Sequence, residues 1–363
     1  MTHAGRRPIL VVTRGLDSVG TGRQVELAVE ALRAAGHDVR VAVTTGGGSS
    51  PGRLARAGFA VDSLARRPRA GLLAAVELAR LARATRARGV LAFGRGQACV
   101  AAAAARLAPR LRTLAVVDLP PRRGLESFAL RAADRVVVPD ETVARRCGGA
   151  GIDAARIEIV PPGIEPASAA GLSRGQVAAR LGLRPDTVWT LCVAPLDPAA
   201  HVDRLLWAID QLGVVHRGLE HVLVGSGPML ARVRRRARLQ RLSERLFVFP
   251  WLDCLPDLLP RVRLVWQPGE IASGGCLLDG MAHGVAAVAV DGLAARRLVD
   301  DDQTGRVVAA EPVSELPRRA LGIIEDDALA ARYGSSARQR AASLFPAARS
   351  TGALLAAVER VLG

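Results

Sequence analysis

Two acidic residues and a pair of glycines stand together in the stretch Gly269–Gly284, which reads GEIASGGCLLDGMAHG. Ser273 can cap a helix here, and the N–H groups that follow, around Gly274 and Gly275, would then point outward and suit a phosphate group. One turn further on, the carboxylate of Asp279 can accept hydrogen bonds from ribose hydroxyls. These residue types at this spacing predict a site for a nucleotide diphosphate.

Two other segments have a composition that fits the same ligand. In His221–Pro228, HVLVGSGP, a strand runs into Gly225 and Gly227 and a helix follows, so the backbone can approach an anion closely. In Phe249–Pro260, FPWLDCLPDLLP, a loop after a strand could hold a base through backbone groups, with Trp251 as a stacking surface. Each segment also has a plain alternative, which is a tight turn for the first and a tryptophan packed between domains for the second.

Strands that alternate with helices must position these segments. Pro8–Thr13 predicts a buried strand, Gln24–Ala35 an amphipathic helix and Asp38–Thr44 a second strand, which together form a βαβ unit. This alternation continues, is interrupted at Pro161–Gly175, a segment rich in Pro, Gly and Ser, and then resumes. The pattern predicts two doubly wound α/β domains with parallel sheets, and ligands outside the carboxyl ends of the strands.

The composition supports two domains and restricts their partners. The 363 residues exceed one ordinary core, and half of them are apolar. The net charge is +16, and all 50 basic residues are arginine, because the sequence has no lysine. Such a surface attracts anions, although a GC-rich genome explains part of the bias. Nucleic acid is not expected, because aromatic residues are few and no reader motif is present.

The remaining sequence features predict a cytoplasmic protein. The five cysteines include no CxxC pair and suit buried thiols in a reducing compartment. The first apolar run is too short for a signal peptide, and no apolar run reaches the length of a membrane span. The arginine-rich segment Arg232–Arg241 is compatible with a solvated helix face or with peripheral contact with an anionic membrane.

The order and spacing of these motifs resemble the retaining glycosyltransferases of family 4. The resemblance rests on GTGRQVELAVEALRAAGHDV and RAADRVVVPDETVARR in the first half, and on LVGSGP, FPWLDCLPDLL, LLDGMAHGVAAVAVDG and DDQTGRVV in the second. It implies the GT-B fold, in which two Rossmann-like domains face each other across a cleft. The implied domains are an acceptor domain over 1–165, a donor domain over 166–345 and a C-terminal helix over 346–363 that packs back toward the first domain.

The resemblance also implies the activity, which is transfer of a hexose from a nucleotide-diphosphate sugar to a polysaccharide, lipid or small-molecule acceptor, with retention and without a metal. Asp279 would then hold the ribose and Glu270 would contact the sugar. The implied donor-binding residues are Gly225, Gly227, Trp251, Leu252, Gly274, Gly275, Cys276 and Asp279. On the acceptor side, the residues are Gly20, Gly22, Arg23 and Asp118.

The sequence departs from the family pattern at four positions. Ile271 stands where the family has its first Glu, so that Glu270 lies one residue out of register. Pro195 and Ala200 replace the Arg and Lys that clamp the diphosphate, and Val117 replaces a frequent His. Two lost charge-assisted hydrogen bonds of roughly 1.5–3 kcal/mol each would weaken affinity or rate by about 10²–10⁴-fold. Candidate replacement cations are Arg14, Arg23, Arg95, Arg296 and Arg297.

Three functions therefore remain open. The first is an active transferase with a rearranged site, and the second is a glycosyltransferase-like protein that acts as a binding or partner subunit. The third, a dinucleotide-dependent enzyme, is disfavoured because VGTGRQ is not GxGxxG and no acid ends the second strand. These residues do not specify the base, the sugar, the acceptor or the oligomeric state.

Overall fold

The computed structural model describes residues 8–16, 19–44, 52–64, 71–167 and 171–362. The chain forms two compact units. The first comprises Met1–Asp17, Thr21–Gly163 and Ala347–Gly363, and the second comprises Ser18–Gly20 and Ile164–Pro346.

The first unit contains a parallel sheet of seven described strands. Their bounds are Ile9–Thr13 (β1), Val39–Val43 (β2), Ala60–Ser63 (β3), Gly89–Phe93 (β4), Arg112–Val116 (β5), Arg135–Val138 (β6) and Ile157–Ile159 (β7). Their order across the sheet is β3-β2-β1-β4-β5-β6-β7.

Seven described α-helices belong to this first unit. They are Thr21–Ala34 (α1), Gly52–Arg56 (α2), Gly71–Thr85 (α3), Arg95–Leu107 (α4), Leu125–Ala132 (α5), Glu141–Gly149 (α6) and the C-terminal helix Ala347–Leu362, labelled α15 below. Helix α15 contacts α1, β5 and β6, so the end of the chain packs onto the same unit as its beginning.

The second unit contains a parallel sheet of six described strands. They are Val188–Val193 (β8), Leu219–Val224 (β9), Leu246–Phe249 (β10), Leu264–Gln267 (β11), Ala286–Val290 (β12) and Gly305–Val308 (β13), in the order β10-β9-β8-β11-β12-β13. Its described α-helices are Arg174–Leu181 (α7), Val202–Val215 (α8), Leu230–Leu239 (α9), Leu255–Leu258 (α10), Leu277–Ala282 (α11), Leu293–Leu298 (α12), Glu315–Glu325 (α13) and Asp327–Leu344 (α14).

The central strands of both sheets are apolar runs because helices cover both faces. All residues of β1, β4 and β12 are buried. In the second unit, alternate strand residues enter two different hydrophobic clusters, so that Val265 belongs to one cluster and Trp266 to the other. The predicted α/β class with parallel sheets is confirmed.

Helix α7 and strand β3 are among the elements that differ from the sequence-based expectation. Helix α7 lies partly within the predicted linker, and Ser173 and Gln176 form a reciprocal capping box at its start. Strand β3 was not expected, because its four residues, AVDS, form a half-exposed edge strand without an apolar run. Within the described residues, no helix is both long and apolar enough to cross a membrane.

Candidate functional site

The order in which strands are added to the sheet of the second unit reverses at β8, whose carboxyl end is therefore a topological switch point. From β8 the chain proceeds to β9 on one side, and it later returns to β11 on the other side. In open α/β sheets, a crevice at such a switch point is the usual ligand site. The segments that border it here are the β8–α8 loop, which contains the 3₁₀ turn Pro198–Ala200, and the β11–α11 loop.

The predicted glycines Gly225 and Gly227 pack against the backbone of the β8–α8 loop. A Cβ atom on Gly225 would lie 1.9 Å from the carbonyl oxygen of Ala194, and one on Gly227 would lie 2.5 Å from that of Leu196. No side chain fits at such distances, so both residues must be glycine for packing reasons alone. The β9–α9 turn is thereby fixed against the β8 end.

The β11–α11 loop packs against the same strand end at two points. A Cβ atom on Gly269 would lie 2.7 Å from the Ala199 carbonyl oxygen, and one on Gly275 would lie 2.7 Å from that of Val193. Three loops therefore converge at the carboxyl end of β8 through direct backbone contact. The convergence places all three loops at the rim of the switch point.

Asp279 is buried, with 3% of its surface exposed, and it lies beside Gly20. The backbone N–H of Gly20 donates to Asp279 Oδ2 at 3.4 Å, and a Cβ atom on Gly20 would lie 2.9 Å from the Gly275 carbonyl oxygen. The structure thus brings together Gly20, Gly275 and Asp279. Gly20, which was predicted on the acceptor side, groups with the second unit.

Glu270 is directed toward the start of α12. Its carboxylate accepts hydrogen bonds from the backbone N–H groups of Leu293, at 2.6 Å, and Ala294, at 3.2 Å. A Cβ atom on Gly292 would lie 2.6 Å from Glu270 Oε2, so a larger residue there would displace the carboxylate. The carboxylate therefore satisfies two helix N-terminal donors and ties α12 to the β11–α11 loop.

The helix that Ser273 was expected to cap begins at Leu277, after Cys276, and Ser273 does not cap it. The residues Ala272–Gly274 form a 3₁₀ turn in which Ser273 has φ 53°. The N–H groups of Gly274 and Gly275 donate to the carbonyl oxygens of Ile271 (3.0 Å) and Ala272 (3.3 Å). The expectation of outward-facing N–H groups at the two glycines was wrong, because these groups close the turn.

Cys276, another predicted donor-site residue, precedes α11 and is buried. Only 1% of its surface is exposed, and burial raises the pKa of its thiol to about 12. Such a thiol stays neutral at physiological pH and acts as a small apolar side chain. Trp251 is 38% exposed, and Leu252 packs against the hydrophobic core. The indole therefore keeps an accessible face, whereas Leu252 contributes to packing.

The other predicted acceptor-side residues belong to the first unit. Gly22 is buried in the first turn of α1, and Arg23 follows it with an ion pair of 3.6 Å to Glu26. Asp118 is half-buried just after β5. The structure gives each of them a defined position within that unit.

Three of the candidate replacement arginines are held by acids, the first of them Arg23 through its ion pair with Glu26. Both guanidinium arms of Arg296 donate to Asp291, at 2.5 and 2.6 Å, and Arg95 pairs with Glu126 at 3.3 Å. Each cation is therefore largely neutralised where it stands.

Arg204 is a further cation near this site, which the sequence motifs did not indicate. It lies in the first turn of α8, directly after the β8–α8 loop, and it is half-buried with no ion pair among the described residues. Its charge lies near His201, whose pKa is lowered first by burial and then by Arg204. The sequence feature that could have indicated Arg204 is its place four residues after Ala200, which stands where the family has Lys. In the part of the chain that the structure describes, no group of three His, Cys, Asp or Glu side chains could hold a metal ion.

Comparison with protein families gives two matches along the chain. The sequence model described as Glycosyltransferase Family 4 matches residues 19–168, and the one described as Glycosyl transferases group 1 matches residues 188–326. A curated relative, D-inositol 3-phosphate glycosyltransferase of Mycobacterium ulcerans, is 28% identical over 259 residues. That alignment covers 67% of this chain and 54% of the relative, so it spans about half of the relative's length.

Comparison with solved structures extends over nearly the whole chain. The Anabaena protein HepE (Alr3699) in complex with UDP-glucose has a TM-score of 0.80 at 16% identity and covers 97% of this chain and 99% of its own. Sucrose-phosphate synthase from Thermosynechococcus elongatus has a TM-score of 0.75 at 18% identity, with 98% and 99% covered. At this identity the likeness concerns the fold, and it confirms the predicted GT-B class. With the two family matches, it follows that the chain belongs to glycosyltransferase family 4, glycosyl transferases group 1.

Proposed function

We propose that this chain is a retaining glycosyltransferase that moves a hexose from a nucleotide-diphosphate sugar to an acceptor. The observation that carries the proposal is the convergence of three glycine-containing loops on the switch point of the second unit, with the carboxylate of Asp279 behind them. Membership of the family and the likeness to a UDP-glucose complex support the same ligand class.

In this proposal the donor binds to the second unit and Asp279 holds its ribose. An ionised carboxylate only accepts hydrogen bonds, which suits the hydroxyl groups of a ribose. The indole of Trp251 is accessible for stacking on the base. Arg204, together with the first turn of α8, is the candidate cation for the diphosphate, in place of the Arg and Lys that the family has at Pro195 and Ala200.

The transfer step needs no protein nucleophile. The bond between the anomeric carbon and the diphosphate oxygen breaks, and the acceptor oxygen forms its bond on the same face of the sugar. The acceptor proton passes to the departing phosphate oxygen. The residues of this chain contribute by positioning both substrates and by stabilising the charge that develops on the diphosphate.

A thermal-shift titration with UDP, GDP, ADP and their common sugar conjugates tests the donor site. A ligand at 100 times its dissociation constant stabilises the folded state by about 2.7 kcal/mol, which gives a measurable shift. We expect a shift with one nucleotide and its loss in Asp279→Ala. The matched control is Asp134→Ala, which removes a carboxylate bonded to Thr113 in the first unit and leaves the shift unchanged.

A transfer assay with the nucleotide so identified tests the reaction. The acceptors should include inositol phosphates, because the curated relative is named for such an acceptor and this chain carries a net charge of +16. Proton NMR of the product reports whether the anomeric configuration of the donor is retained. Binding of a nucleotide without transfer to any acceptor would favour the second candidate, a binding or partner subunit, which the loss of both clamp cations also favours.

Contact with an anionic membrane from the cytoplasmic side is part of the proposal. Helix α9 exposes Arg234, Arg235 and Arg238, and Leu239 beside them is 73% exposed. Each arginine near an anionic surface contributes about 1 kcal/mol at low salt. Co-sedimentation with vesicles should then depend on anionic lipid and fall in the double variant Arg234→Glu, Arg235→Glu. Arg318→Glu on α13, whose arginine is paired with Glu315, is the control.

A further inference from the structure

The last residue of β11, Gln267, carries a side-chain amide that is fully buried and has no hydrogen-bond partner. Its exposed fraction is 0%, and neither Oε1 nor Nε2 is paired with any described residue. Native proteins pair nearly all buried polar groups, because an unpaired one costs folding free energy. A leucine or methionine would fill this place without that cost, so the amide requires a reason.

The amide lies beneath the β11–α11 loop. Gln267 Oε1 is 3.7 Å from the point where a Cβ atom on Gly274 would stand. Three consecutive residues of the loop have left-handed backbones, with φ values of 53° at Ser273, 72° at Gly274 and 55° at Gly275. A left-handed serine is unfavourable, since its Cβ crowds the backbone. A strained turn and an unpaired amide thus occupy the same place at the switch point.

We infer that Gln267 is a positioning residue of the donor site, whose amide hydrogen-bonds the backbone of the turn Ala272–Gly275 in a second, donor-bound conformation. This inference rests on the proposed function. An amide can donate two hydrogen bonds and accept two, so it can pair with both N–H and C=O groups of a rearranged turn. Pairing then recovers the cost of the unpaired amide, and relaxation of Ser273 adds to the gain.

The consequence is a loop with two conformations of similar free energy. A ligand shifts such an equilibrium only by its differential affinity for the two conformations. When the two conformations differ little in free energy, a modest difference in affinity is enough to shift their populations. Removing the amide stabilises the ligand-free conformation and increases the free-energy difference between the two conformations. The folded protein then becomes more stable while its affinity for the donor falls, a combination that a packing defect would not produce.

The test compares Gln267→Met with Gln240→Met. Gln240, at the end of α9, also has a buried Oε1 without a partner, but it lies outside the switch-point loops. Three quantities are measured for wild type and both variants: the melting temperature without ligand, the dissociation constant of the UDP, GDP or ADP that binds, and hydrogen–deuterium exchange of the segment 268–278 without ligand.

We expect both variants to melt above the wild type. Only Gln267→Met should weaken nucleotide binding, by about tenfold, which is about 1.4 kcal/mol. Only Gln267→Met should also slow exchange in 268–278, because it depopulates the second conformation. Unchanged affinity and unchanged exchange in Gln267→Met would overturn the inference, and so would a lower melting temperature, which would indicate an amide that binds a buried water.

Failure of the proposed function gives a different result. If the wild type binds no nucleotide, the donor-site proposal is refuted, and the exchange measurement alone decides on Gln267. Slower exchange in Gln267→Met would still support a two-state loop governed by the amide. Equal exchange in wild type and variant would refute the role of Gln267 independently of any ligand.

Discussion

The guanidinium of Arg174 stacks on the indole of Trp189, 3.8 Å from the ring centroid. The same guanidinium donates to three backbone carbonyl oxygens, those of Pro185 (2.8 Å), Thr187 (2.6 Å) and Arg261 (3.1 Å). Trp189 is completely buried in the centre of the second unit. One side chain therefore joins the start of α7, the entry to β8 and the entry to β11.

We predict that Arg174→Ala lowers the free energy of unfolding by about 2–4 kcal/mol, because three charge-assisted hydrogen bonds and a cation–π contact are lost. Arg174→Lys should recover less than half of this loss, because an ammonium group cannot reproduce the planar fork. Urea unfolding measures both. The control Arg180→Ala, on the same helix, removes an exposed ion pair to Asp253 and should cost less than about 1 kcal/mol. A lysine variant as stable as wild type would contradict the assignment.

A second buried network crosses three neighbouring strands. The indole N–H of Trp266 donates to Thr190 Oγ1 at 2.8 Å, and Thr190 Oγ1 lies 2.7 Å from His221 Nδ1. The Thr190 oxygen accepts the indole proton and shares a hydrogen bond with His221 Nδ1, so the three side chains form one buried chain of hydrogen bonds. Burial, with a smaller effect of Arg245, lowers the pKa of His221 to about 3.

This histidine should make folding stability depend on pH. The unfolded chain binds the proton near pH 6.5 and the folded chain only near pH 3, so the unfolded state holds more protons between these values. Stability therefore falls as pH decreases through this window, by at most about 1.4 kcal/mol per pH unit. Urea unfolding at pH 7, 6 and 5 should show a steeper decrease for wild type than for His221→Asn.

The difference between the two pH slopes isolates this group, because the carboxylates contribute to both proteins. His216→Asn, in the half-exposed segment between α8 and β9, is the matched control for the removal of a histidine. Equal slopes for wild type and His221→Asn would show that the imidazole is protonated in the folded state.

The sequence was sufficient to predict the strands that helices cover on both sides. Such strands are apolar runs bounded by turns, and the predicted bounds Pro8–Thr13 for β1 and Asp38–Thr44 for β2 agree with the structure within one residue. The edge strand β3 was not predicted from the sequence, because a half-exposed strand of four residues has no apolar run. The predicted start of α11 was too early. The residues Ala272–Gly274 form a 3₁₀ turn with a left-handed Ser273, and the sequence does not distinguish such a turn from the first turn of a helix.

The details of the candidate site depend on contacts that no local pattern contains. The capping partner of Glu270 lies 23 residues away at Leu293, and the contact of Asp279 with Gly20 spans 259 residues. Sequence spacing singled out Glu270 and Asp279 as candidates. It could not give their hydrogen-bond partners, because these are decided by how the loops pack.

The glycine of the β9–α9 turn offers a direct test of that packing. In Gly225→Ala, the new Cβ would have to stand 1.9 Å from the Ala194 carbonyl oxygen, so the backbone must shift. We expect unfolding at lower denaturant concentration, with a loss of about 2–3 kcal/mol. Gly322→Ala in α13 is the matched control, because its Cβ meets no atom and the helix gains about 1 kcal/mol. Full stability of Gly225→Ala with lost nucleotide binding would instead assign the glycine to ligand approach alone.

The contact of Glu270 with α12 leads to the last prediction. In Glu270→Ala, the N–H groups of Leu293 and Ala294 lose their acceptor, and the expected loss is about 1–2 kcal/mol in urea unfolding. Glu270→Gln keeps an amide oxygen as acceptor and should lose less than half of this. The exposed Glu244→Ala is the control and should stay within about 0.5 kcal/mol of wild type.

The same variants separate the capping role of Glu270 from the sugar contact that the family resemblance implies. If Glu270 acts by holding α12 in place, Glu270→Gln should keep the transfer rate within about threefold of wild type, less than 1 kcal/mol in activation free energy. A contact that uses the negative charge in the transition state would instead cost about 10²-fold in kcat in this variant, with stability preserved. The transfer rate of Glu270→Gln, measured at saturating donor, therefore decides whether the carboxylate is needed for its charge or for its place at the start of α12.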